Sequence, residues 1–487
     1  MQSCLACFFF FLNKNKTFIV RLLLLIKFIF FKHQTFLYHC HTLFIDKNMT
    51  LNDIILLPIF MLIILIISII FQEILYKKNP LKKYFIPALM LKLMPSMLYA
   101  AVYIFYYKGG DTVAYHDYAM LIYEVFQHDP KRAFEIVTSP ANHFSFNTAD
   151  ITQQIWFYKS EATYMVVRLA FFLGIICFGS FWVTTLLFAA LSFTGLWALY
   201  AVLVRMYPKL EKQMFVAVFL LPSVFFWGSG LMKDTITIGC LGWLIYAFYY
   251  LVIRRERIIS SFFIFMIAFQ LIWILKAYIV LGVLPALLYW VVMHYASYLK
   301  EIRLKISLIM FIGIFSVLFS YYFRFQIQGL SNVLFLKFAN IAFGFQTWHS
   351  IFEGQSIYSL GEIEFTISGV LSKLPAAVNV TLFRPYLFEA HNPVMLMTSF
   401  ESTLFLFFTI YVLLRVGFFR TFRMIWSEPF VGACLIFTLL FGFAVGFTSY
   451  NFGALARYKI PCLPFYIAAL CIILQLHKER KNAVLLK

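Results

Sequence analysis

Residues 54–71 read IILLPIFMLIILIISIIF, an apolar run that contains no charged side chain. A helix needs about 20 such residues to cross the hydrocarbon core of a bilayer, so this run and its flank predict a membrane span over 54–74. Similar runs recur along the chain. The further predicted spans are 85–107, 181–204, 214–232, 235–253, 259–275, 277–296, 305–322, 395–417, 429–449 and 457–476. The sequence therefore predicts an all-α fold, a polytopic transmembrane helix bundle of roughly ten to twelve spans.

The composition supports a membrane protein. Of the 487 residues, 63% are hydrophobic and only 13% are charged, whereas about 25% of the residues of a soluble domain are charged. The net charge of +19 would suggest a nucleic-acid partner in a soluble protein. Here the basic residues lie mostly in short loops between apolar runs, which is the pattern that the positive-inside rule describes. We therefore predict no nucleic-acid partner.

The basic loops predict the orientation of the spans. Six clusters of Lys and Arg are expected in the cytoplasm, which requires that 164–204 cross the membrane an odd number of times. This favours one span at 181–204, with the apolar stretch 164–178 lying in the outer interface or dipping in and returning. Two long loops, about 108–163 and 323–394, are then extracytoplasmic. The six clusters are Lys77/Lys78/Lys82/Lys83, Arg205/Lys209/Lys212, Arg254/Arg255/Arg257, Lys300/Arg303/Lys305, Arg415/Arg420/Arg423 and Lys478/Arg480/Lys481.

The chain divides into three parts. Residues 1–48 hold an apolar run that is interrupted by three basic residues and is too short for a span. We expect translation to begin at Met49, which opens a much more regular segment. Residues 49–476 are predicted to form a single integral-membrane domain, and residues 477–487 a basic cytoplasmic tail.

Residues 108–119 read KGGDTVAYHDYA and directly follow the second predicted span. The two glycines let the backbone turn sharply at the membrane surface. Asp111 is then either the N-cap of an interfacial helix over 112–125 or a carboxylate at the water–lipid boundary, where it accepts a proton from a sugar hydroxyl. His116 is included with it among the candidate catalytic residues.

Residues 221–234 read LPSVFFWGSGLMKD. Pro222 frees a backbone carbonyl and kinks the helix, and the motif ends with the charged pair Lys233 and Asp234 between two short spans. Charges at membrane depth are costly and are candidates for function. The alternative is a paired turn whose side chains reach into the headgroups. Lys276 divides a long apolar stretch and is either a ligand for a headgroup or carrier phosphate or an ordinary interfacial lysine.

Residues 382–393 read LFRPYLFEAHNP. The planar guanidinium of Arg384 suits phosphate oxygens, and Glu389 is its titratable neighbour. The alternative is a rigid loop between prolines in which Arg384 and Glu389 pair with each other. Glu401 lies inside the next predicted span, where a carboxylate needs a partner.

Residues 456–464 read ARYKIPCLP and enter the last predicted span. Arg457 and Lys459 lie at the start of a helix, where the helix dipole favours acidic residues instead. An anion bound nearby would account for both cations. The alternative is that they anchor the span in the interfacial belt.

Several other kinds of site have no support in the sequence. It contains no phosphate-binding Gly-rich loop, no dinucleotide fingerprint and no His/Glu metal spacing. Its eight cysteines form no framework, because Cys4 and Cys7 have no second pair with which to complete a zinc site. We predict no metal site and no cofactor, and a divalent cation is not indicated.

Taken together, the four motifs resemble bacterial integral-membrane glycosyltransferases of the GT-C type and the related polysaccharide polymerases. The resemblance is loose and covers residues 49–476. It implies that the acidic residue of the first outer loop, here Asp111, is the base or positions the acceptor. It also implies that outer-face cations, here Lys233, Arg384 and Arg457, hold the phosphates of a polyprenyl-linked sugar donor. Many of these enzymes have two acidic residues in that loop, and Asp117 is the only close second here.

These interpretations predict a multi-pass inner-membrane glycosyltransferase or polymerase, with a polyprenyl-linked sugar, a glycan acceptor and membrane lipid as its partners. No protein partner is indicated. A flippase or exporter of lipid-linked oligosaccharide would need charges along a path through the bilayer, and few charges lie mid-span. A non-enzymatic assembly protein is the third alternative. The candidate catalytic residues are Asp111, His116 and Asp234, and the candidate substrate- or phosphate-binding residues are Lys233, Lys276, Arg384, Glu389, Arg457 and Lys459.

Overall fold

The structure, a computed structural model, describes residues 49–296, 344, 356–361, 364 and 366–485. These residues form helices and loops without any β-strand, which confirms the predicted all-α polytopic bundle. Seven of the described helices are long and apolar enough to cross a membrane, or eight spans if one bent pair of helices is counted as a further span. Residues 1–48, the predicted span 305–322 and about half of the second long loop lie outside the described residues.

Two antiparallel helices open the described bundle. Helix α1 (Leu51–Tyr76) begins with a capping box, in which the Thr50 hydroxyl accepts the Asp53 N–H at 3.2 Å and the Asp53 carboxylate accepts the Thr50 N–H at 2.8 Å. Ser180 donates to the same carboxylate, which ties the start of α1 to the rest of the bundle. Helix α2 (Lys82–Ala101) continues as a π-helical turn over Val102–Tyr106.

A helical layer follows α2 at the end of the bundle that the sequence predicts to be extracytoplasmic, here called the outer end. It consists of α3 (Asp111–His128), α4 (Pro130–Thr138) and α5 (Glu161–Ile176). Helix α5 contains the predicted non-spanning stretch 164–178 and has 16 residues, fewer than the roughly 20 that a span needs. Its Arg168 pairs with Glu161 and donates to the carbonyls of Val137 and Ser139, so the charge is satisfied inside this layer.

The centre of the bundle is formed by α6 (Phe181–Met206) and α9 (Lys233–Phe248). Gly195 of α6 lies directly against the Gly239 carbonyl of α9, so a side chain at Gly195 would collide with backbone. Small residues of this kind let membrane helices approach closely. The two helices are among the most buried in the bundle, whereas α1 is almost entirely exposed to the surroundings.

Two apolar segments of the bundle are interrupted: the predicted span 214–232, and the long helix that covers Ile258–Ala296. The predicted span 214–232 is not one helix, because α7 (Glu211–Phe215) and a π-helical turn end at Leu221 and a new helix, α8 (Pro222–Trp227), begins there. Pro222 cannot supply an N–H to a continuing helix, which explains the break. Helix α10 (Ile258–Ala296) leaves helical geometry at Lys276, where φ is −153° and ψ is 74°. This break agrees with the predicted pair of spans 259–275 and 277–296.

The second half of the bundle follows the residues that are not described. Helix α15 (Pro429–Thr448) is a buried apolar span, and the short helix α12 (Leu374–Phe383) packs on it, with Thr381 donating to the Gly442 carbonyl at 2.7 Å. Helices α16 (Phe452–Tyr458) and α17 (Leu463–Leu485) are bent by 66° with respect to each other. The helices of this half are α11 (Ile367–Ser372), α12 (Leu374–Phe383), α13 (Pro393–Val416), α14 (Phe418–Ser427), α15 (Pro429–Thr448), α16 (Phe452–Tyr458) and α17 (Leu463–Leu485).

Candidate functional site

Four separate segments bring charged residues together at the outer end. Asp111 opens α3, Lys233 and Asp234 open α9, Lys276 lies at the break in α10, and Arg457 lies near the end of α16. Asp111 Oδ2 is 3.7 Å from Arg457 Nη1, and Lys276 pairs with Asp234. We call these five residues the outer charge cluster. All five are sequence-predicted site residues, and the structure brings them together from distant parts of the chain.

The backbone before α3 leaves the Asp111 carboxylate free to face the cluster. Gly110, with φ 110°, is the residue that precedes the helix, and Asp111 is its first residue. The predicted N-cap role of Asp111 is therefore wrong, because a glycine holds that position and makes no side-chain cap. A carboxylate in the first helical turn is favoured by the helix dipole. The Asp111 side chain is 54% exposed, so the carboxylate is open to a ligand from the surroundings.

Asp234 and Lys276 form the buried part of the cluster. Their side chains are 3% and 6% exposed, and the ammonium also lies 4.6 Å from the centre of the Tyr458 ring. Lys276 has non-helical backbone angles at the break in α10, and its side chain reaches Asp234 from there. In a continuous helix the direction of this side chain would be set by the helical geometry instead. Removing one partner of such a pair leaves an uncompensated buried charge and lowers the stability of the protein by about 3–5 kcal/mol. The pair therefore holds α9 and α10 together beside the open carboxylate.

Arg457 has unused capacity to bind an anion. Its guanidinium lies between aromatic rings, 6.0 Å from the centre of Trp227 and 5.9 Å from that of Tyr458. Its 3.7 Å approach to Asp111 is longer than a hydrogen bond, and it makes no hydrogen bond to the described residues. A guanidinium carries five N–H donors. The cation is thus held in place by ring contacts while its donors stay available.

Two aromatic residues that sequence reasoning missed also belong to the site. The Tyr99 hydroxyl and the Trp227 indole N–H are buried and have no hydrogen-bond partner among the described residues. Their rings lie 6.1 Å apart, and Trp227 is the ring below Arg457. A buried polar group without a partner costs about 1–3 kcal/mol. The arrangement suits a ligand that brings acceptor oxygens.

Lys233 is the cation of the outer charge cluster that has no partner in the described part of the chain. It is half-buried at the start of α9, where the charges of Lys276, Asp234 and Asp111 all act on it. No ion pair or hydrogen bond to a described residue engages its ammonium. Lys233 and Arg457 therefore differ from Lys276, whose charge is already balanced by Asp234.

Arg384 and Glu389 form a separate pair. The Arg384 Nε lies 3.1 Å from both carboxylate oxygens of Glu389, and Oε2 of that carboxylate also accepts the Tyr386 N–H at 2.8 Å. Burial raises the pKa of Glu389, but the hydrogen bonds from Arg384 and from the Tyr386 N–H outweigh it and hold that pKa below its usual value. Mutual pairing is the simpler of the two interpretations that the sequence allowed. No hydrogen bond or ion pair to the outer charge cluster is formed by either residue in the described structure.

Lys459 points away from the cluster and into the bundle. It is fully buried and donates to the Ser402 hydroxyl at 2.8 Å, which in turn donates to the Arg384 carbonyl at 3.0 Å. Glu401 beside it accepts the Ser223 N–H at 3.1 Å and the Ser223 hydroxyl. We call these groups, Ser223, Glu401, Ser402, Lys459 and the Arg384 carbonyl, the inner network. Lys459, predicted to bind phosphate, is engaged inside the protein and the structure does not bring it to the site.

His116 is also turned away from Asp111. Its Nε2 lies 3.0 Å from the Gly179 carbonyl oxygen, and its ring packs edge-on against Phe181 at 5.3 Å. These contacts fasten α3 to the start of α6. The predicted catalytic candidate His116 therefore holds the outer layer on the bundle, and it makes no contact with the outer charge cluster in the described structure.

The described residues contain no group of three or more His, Cys, Asp or Glu side chains that could hold a metal ion. Comparison of the chain with protein-family models, curated proteins and solved structures gives no match. The functional argument therefore depends on the geometry of the outer charge cluster and on the chemistry of its residues.

Proposed function

We propose that this multi-pass protein is a glycosyltransferase or polysaccharide polymerase of the cell inner membrane, which uses a polyprenyl-phosphate-linked sugar donor at the extracytoplasmic face. One observation carries the proposal. Two cations lie beside an exposed carboxylate at one end of an apolar bundle: Lys233, which has no ion pair or hydrogen bond to a described residue, and Arg457, whose only ionic contact with a described residue is Asp111 at 3.7 Å. Two buried donors without a hydrogen-bond partner among the described residues lie with them. This set of groups fits a phosphate next to a reacting hydroxyl.

The cations and buried donors suit a lipid-linked phosphate. Such a donor presents its phosphate at the level of the headgroups while its isoprenoid chain remains in the hydrocarbon. A guanidinium binds two phosphate oxygens in parallel, and an ammonium adds a point charge from a second direction. The Tyr99 hydroxyl and the Trp227 N–H supply neutral donors for the remaining oxygens, which would satisfy both groups on binding.

The exposed carboxylate supplies the second half of the chemistry. In the proposed reaction the acceptor hydroxyl oxygen bonds to the anomeric carbon as the bond from that carbon to the phosphate oxygen breaks. The phosphate leaves with the electron pair, and the hydroxyl proton passes to Asp111. Arg457, 3.7 Å from Asp111, stabilises the charge that develops on the departing phosphate.

The test replaces Asp111 by Asn, which keeps the size of the side chain and removes its basicity. Asp111→Asn is expected to abolish the surface glycan or to shorten it, with the protein present in the membrane at the normal amount. The matched control is Glu124→Gln, which neutralises an exposed carboxylate on the same helix that forms no ion pair with a described residue. An unaltered glycan in Asp111→Asn cells, measured with membrane protein level, would contradict the proposal.

A transporter of lipid-linked oligosaccharide is the second candidate, because charged residues also lie inside the bundle. Lys92 is fully buried and donates to the Gly228 carbonyl, and Glu401 and Lys459 belong to the inner network. Each of these side chains makes at least one hydrogen bond to protein atoms, although Glu401 Oε1 has no partner among the described residues. These contacts favour a fixed role over a polar path. A transporter would accumulate its lipid-linked cargo in the cytoplasmic leaflet when Asp111 is replaced, whereas a transferase would accumulate unreacted donor at the outer face.

A further inference from the structure

The amphipathic helix α14 lies at the end of the bundle opposite to the outer charge cluster, between α13 and α15. Successive residues of a helix are turned by about 100°, so its ten residues divide into three faces. Thr421 and Met424 are buried against the protein. Phe418, Phe422 and Trp426 follow at intervals of four residues and are 67%, 57% and 52% exposed. Arg420 and Arg423 form the third face, which is also exposed.

The exposed aromatic face continues a stripe on the preceding span. Phe407, Tyr411 and Leu414 of α13 are 63%, 53% and 81% exposed and lie on one side of that helix. The stripe reaches Phe418 immediately after the glycine that ends α13. A continuous apolar surface of this kind, ending in Trp and Phe at a charged boundary, is typical of contact with acyl chains up to the headgroups.

Cations gather where this stripe ends. The positive charges of Arg415, Arg420 and Lys481 all act on His477 of α17, and Arg480 donates to the Ser427 hydroxyl of α14 at 3.1 Å. None of the first three has a carboxylate partner among the described residues. The convergence of several cations on one imidazole shows that they share a small area beside the aromatic face.

Several basic residues at the same end of the bundle are paired with carboxylates. Lys83 pairs with Glu211 at 2.7 Å, Lys209 with Glu479 at 2.8 Å, and Arg254 with Glu256 at 2.8 Å. No carboxylate of the described residues pairs with Arg415, Arg420 or Lys481. These cations, which lie together beside an exposed aromatic face, are therefore available to an anion from outside the protein.

We propose that α14 and the neighbouring cations form a docking surface for the headgroup of an anionic phospholipid, in the leaflet at the predicted cytoplasmic end. The surface consists of Phe418, Phe422, Trp426, Arg415, Arg420 and Lys481. The phosphate meets the cations, and the acyl chains cover the aromatic stripe. A lipid fits both features, whereas a soluble anion would leave the aromatic face uncovered. The site is independent of the proposed transferase reaction.

The test uses the full-length protein in vesicles of phosphatidylcholine that contain brominated phosphatidylglycerol, whose bromine atoms quench nearby tryptophan. The measured quantity is the concentration of brominated lipid that gives half-maximal quenching. In the double variant Arg415→Gln/Arg420→Gln this concentration is expected to rise by about five-fold for each arginine neutralised, because each contributes about 1 kcal/mol to the binding of an anionic lipid. The matched control is Arg254→Gln/Arg255→Gln, which removes two positive charges from a loop at the same end where Glu256 is present. Equal changes in the two double variants, or no change in the first, would overturn the proposal.

A second measurement does not depend on the folding of the arginine variants. In the unaltered protein, brominated phosphatidylglycerol should quench more strongly than brominated phosphatidylcholine at equal bromine content, and the difference should disappear in Trp426→Phe. Equal quenching by the two lipids, or a difference that persists in Trp426→Phe, would also overturn the proposal. Neither measurement depends on glycan synthesis. A negative result in these experiments therefore contradicts the lipid site without bearing on the proposed function.

Discussion

Arg457 is the residue on which the proposed phosphate site depends most. It is held by the rings of Trp227 and Tyr458 and approaches Asp111 without a hydrogen bond. The ring contacts fix the cation while leaving its donors unused, which is an unusual combination for a largely buried guanidinium. A lysine would keep the charge at this position and lose the planar, two-pronged geometry.

Arg457→Lys is therefore expected to weaken the binding of a fluorescent polyprenyl phosphate by at least about ten-fold, since a hydrogen bond to a charged group contributes about 1.5–3 kcal/mol. The measurement is equilibrium binding to the purified protein in nanodiscs. Arg132→Lys is the matched control, because the Arg132 Nη2 already donates to both carboxylate oxygens of Asp150, away from the outer charge cluster. Unchanged affinity in Arg457→Lys would remove Arg457 from the site.

The pair of Arg384 and Glu389 leads to a prediction about pH. Because the pKa of Glu389 is below its usual value in the folded chain, the pair stabilises the fold above the ordinary carboxyl range. This stabilisation is lost as the pH falls through the lowered pKa. Glu389→Gln is expected to lower the free energy of unfolding by about 1–2 kcal/mol at neutral pH. Thermal unfolding in detergent at neutral and acidic pH measures the effect, and a difference between variant and parent that stays constant at acidic pH would contradict it.

At the scale of the helices, the breaks decide which residues meet. The break in α10 turns Lys276 towards Asp234, and the break before Pro222 begins the short helix that carries Trp227. The sequence predicted both interruptions from Pro222 and from a lone lysine in a long apolar stretch. It did not predict that the 214–232 segment is two helices, because the apolar residues alone do not distinguish a kinked span from a divided one.

The inner network joins three of these elements, since Ser223 opens α8, Glu401 lies in α13 and Lys459 precedes α17. Lys459→Met and Glu401→Gln each leave one buried charge without its counterpart. Each is expected to destabilise the protein by about 3–5 kcal/mol, and the double variant by less than the sum of the two. Thermal unfolding of the four proteins in detergent gives the coupling, with Lys209→Met, at an exposed pair, as the control. Strictly additive losses would show that the two charges do not interact.

At the scale of the whole molecule, the fold class followed directly from composition and from the length of the apolar runs. The five members of the outer charge cluster were also found, because unusual charges at span ends are rare in such a chain. Tyr99 and Trp227 were not found, since nothing distinguishes two buried aromatic residues from the many others among 61 Phe, 29 Tyr and 9 Trp. Lys459 was assigned to the wrong side of its helix, because the bend between α16 and α17 is not encoded in the motif that contains it.

The orientation of the bundle in the membrane is a prediction about the whole molecule. A membrane-impermeant maleimide applied to intact cells is expected to label Asp117→Cys, and to label Arg255→Cys only after the cells are opened. Both positions are exposed, and the five described native cysteines are buried or half-buried, so labelling above the parent reports the new thiol. Labelling of Arg255→Cys in intact cells, with Asp117→Cys labelled only after the cells are opened, would reverse the assignment of the two ends. Labelling of both positions in intact cells would show that they do not lie on opposite sides of the membrane.

The bend between α16 and α17 has a mechanical consequence. Arg457 and Lys459 are two residues apart at the end of α16, just before the bend, and Arg457 faces the outer charge cluster while Lys459 is buried in the inner network. The Ser402 hydroxyl, which accepts from Lys459, donates to the carbonyl of Arg384. We therefore expect a displacement of Arg457 on ligand binding to be transmitted through Lys459 and Ser402 to the loop that precedes α13.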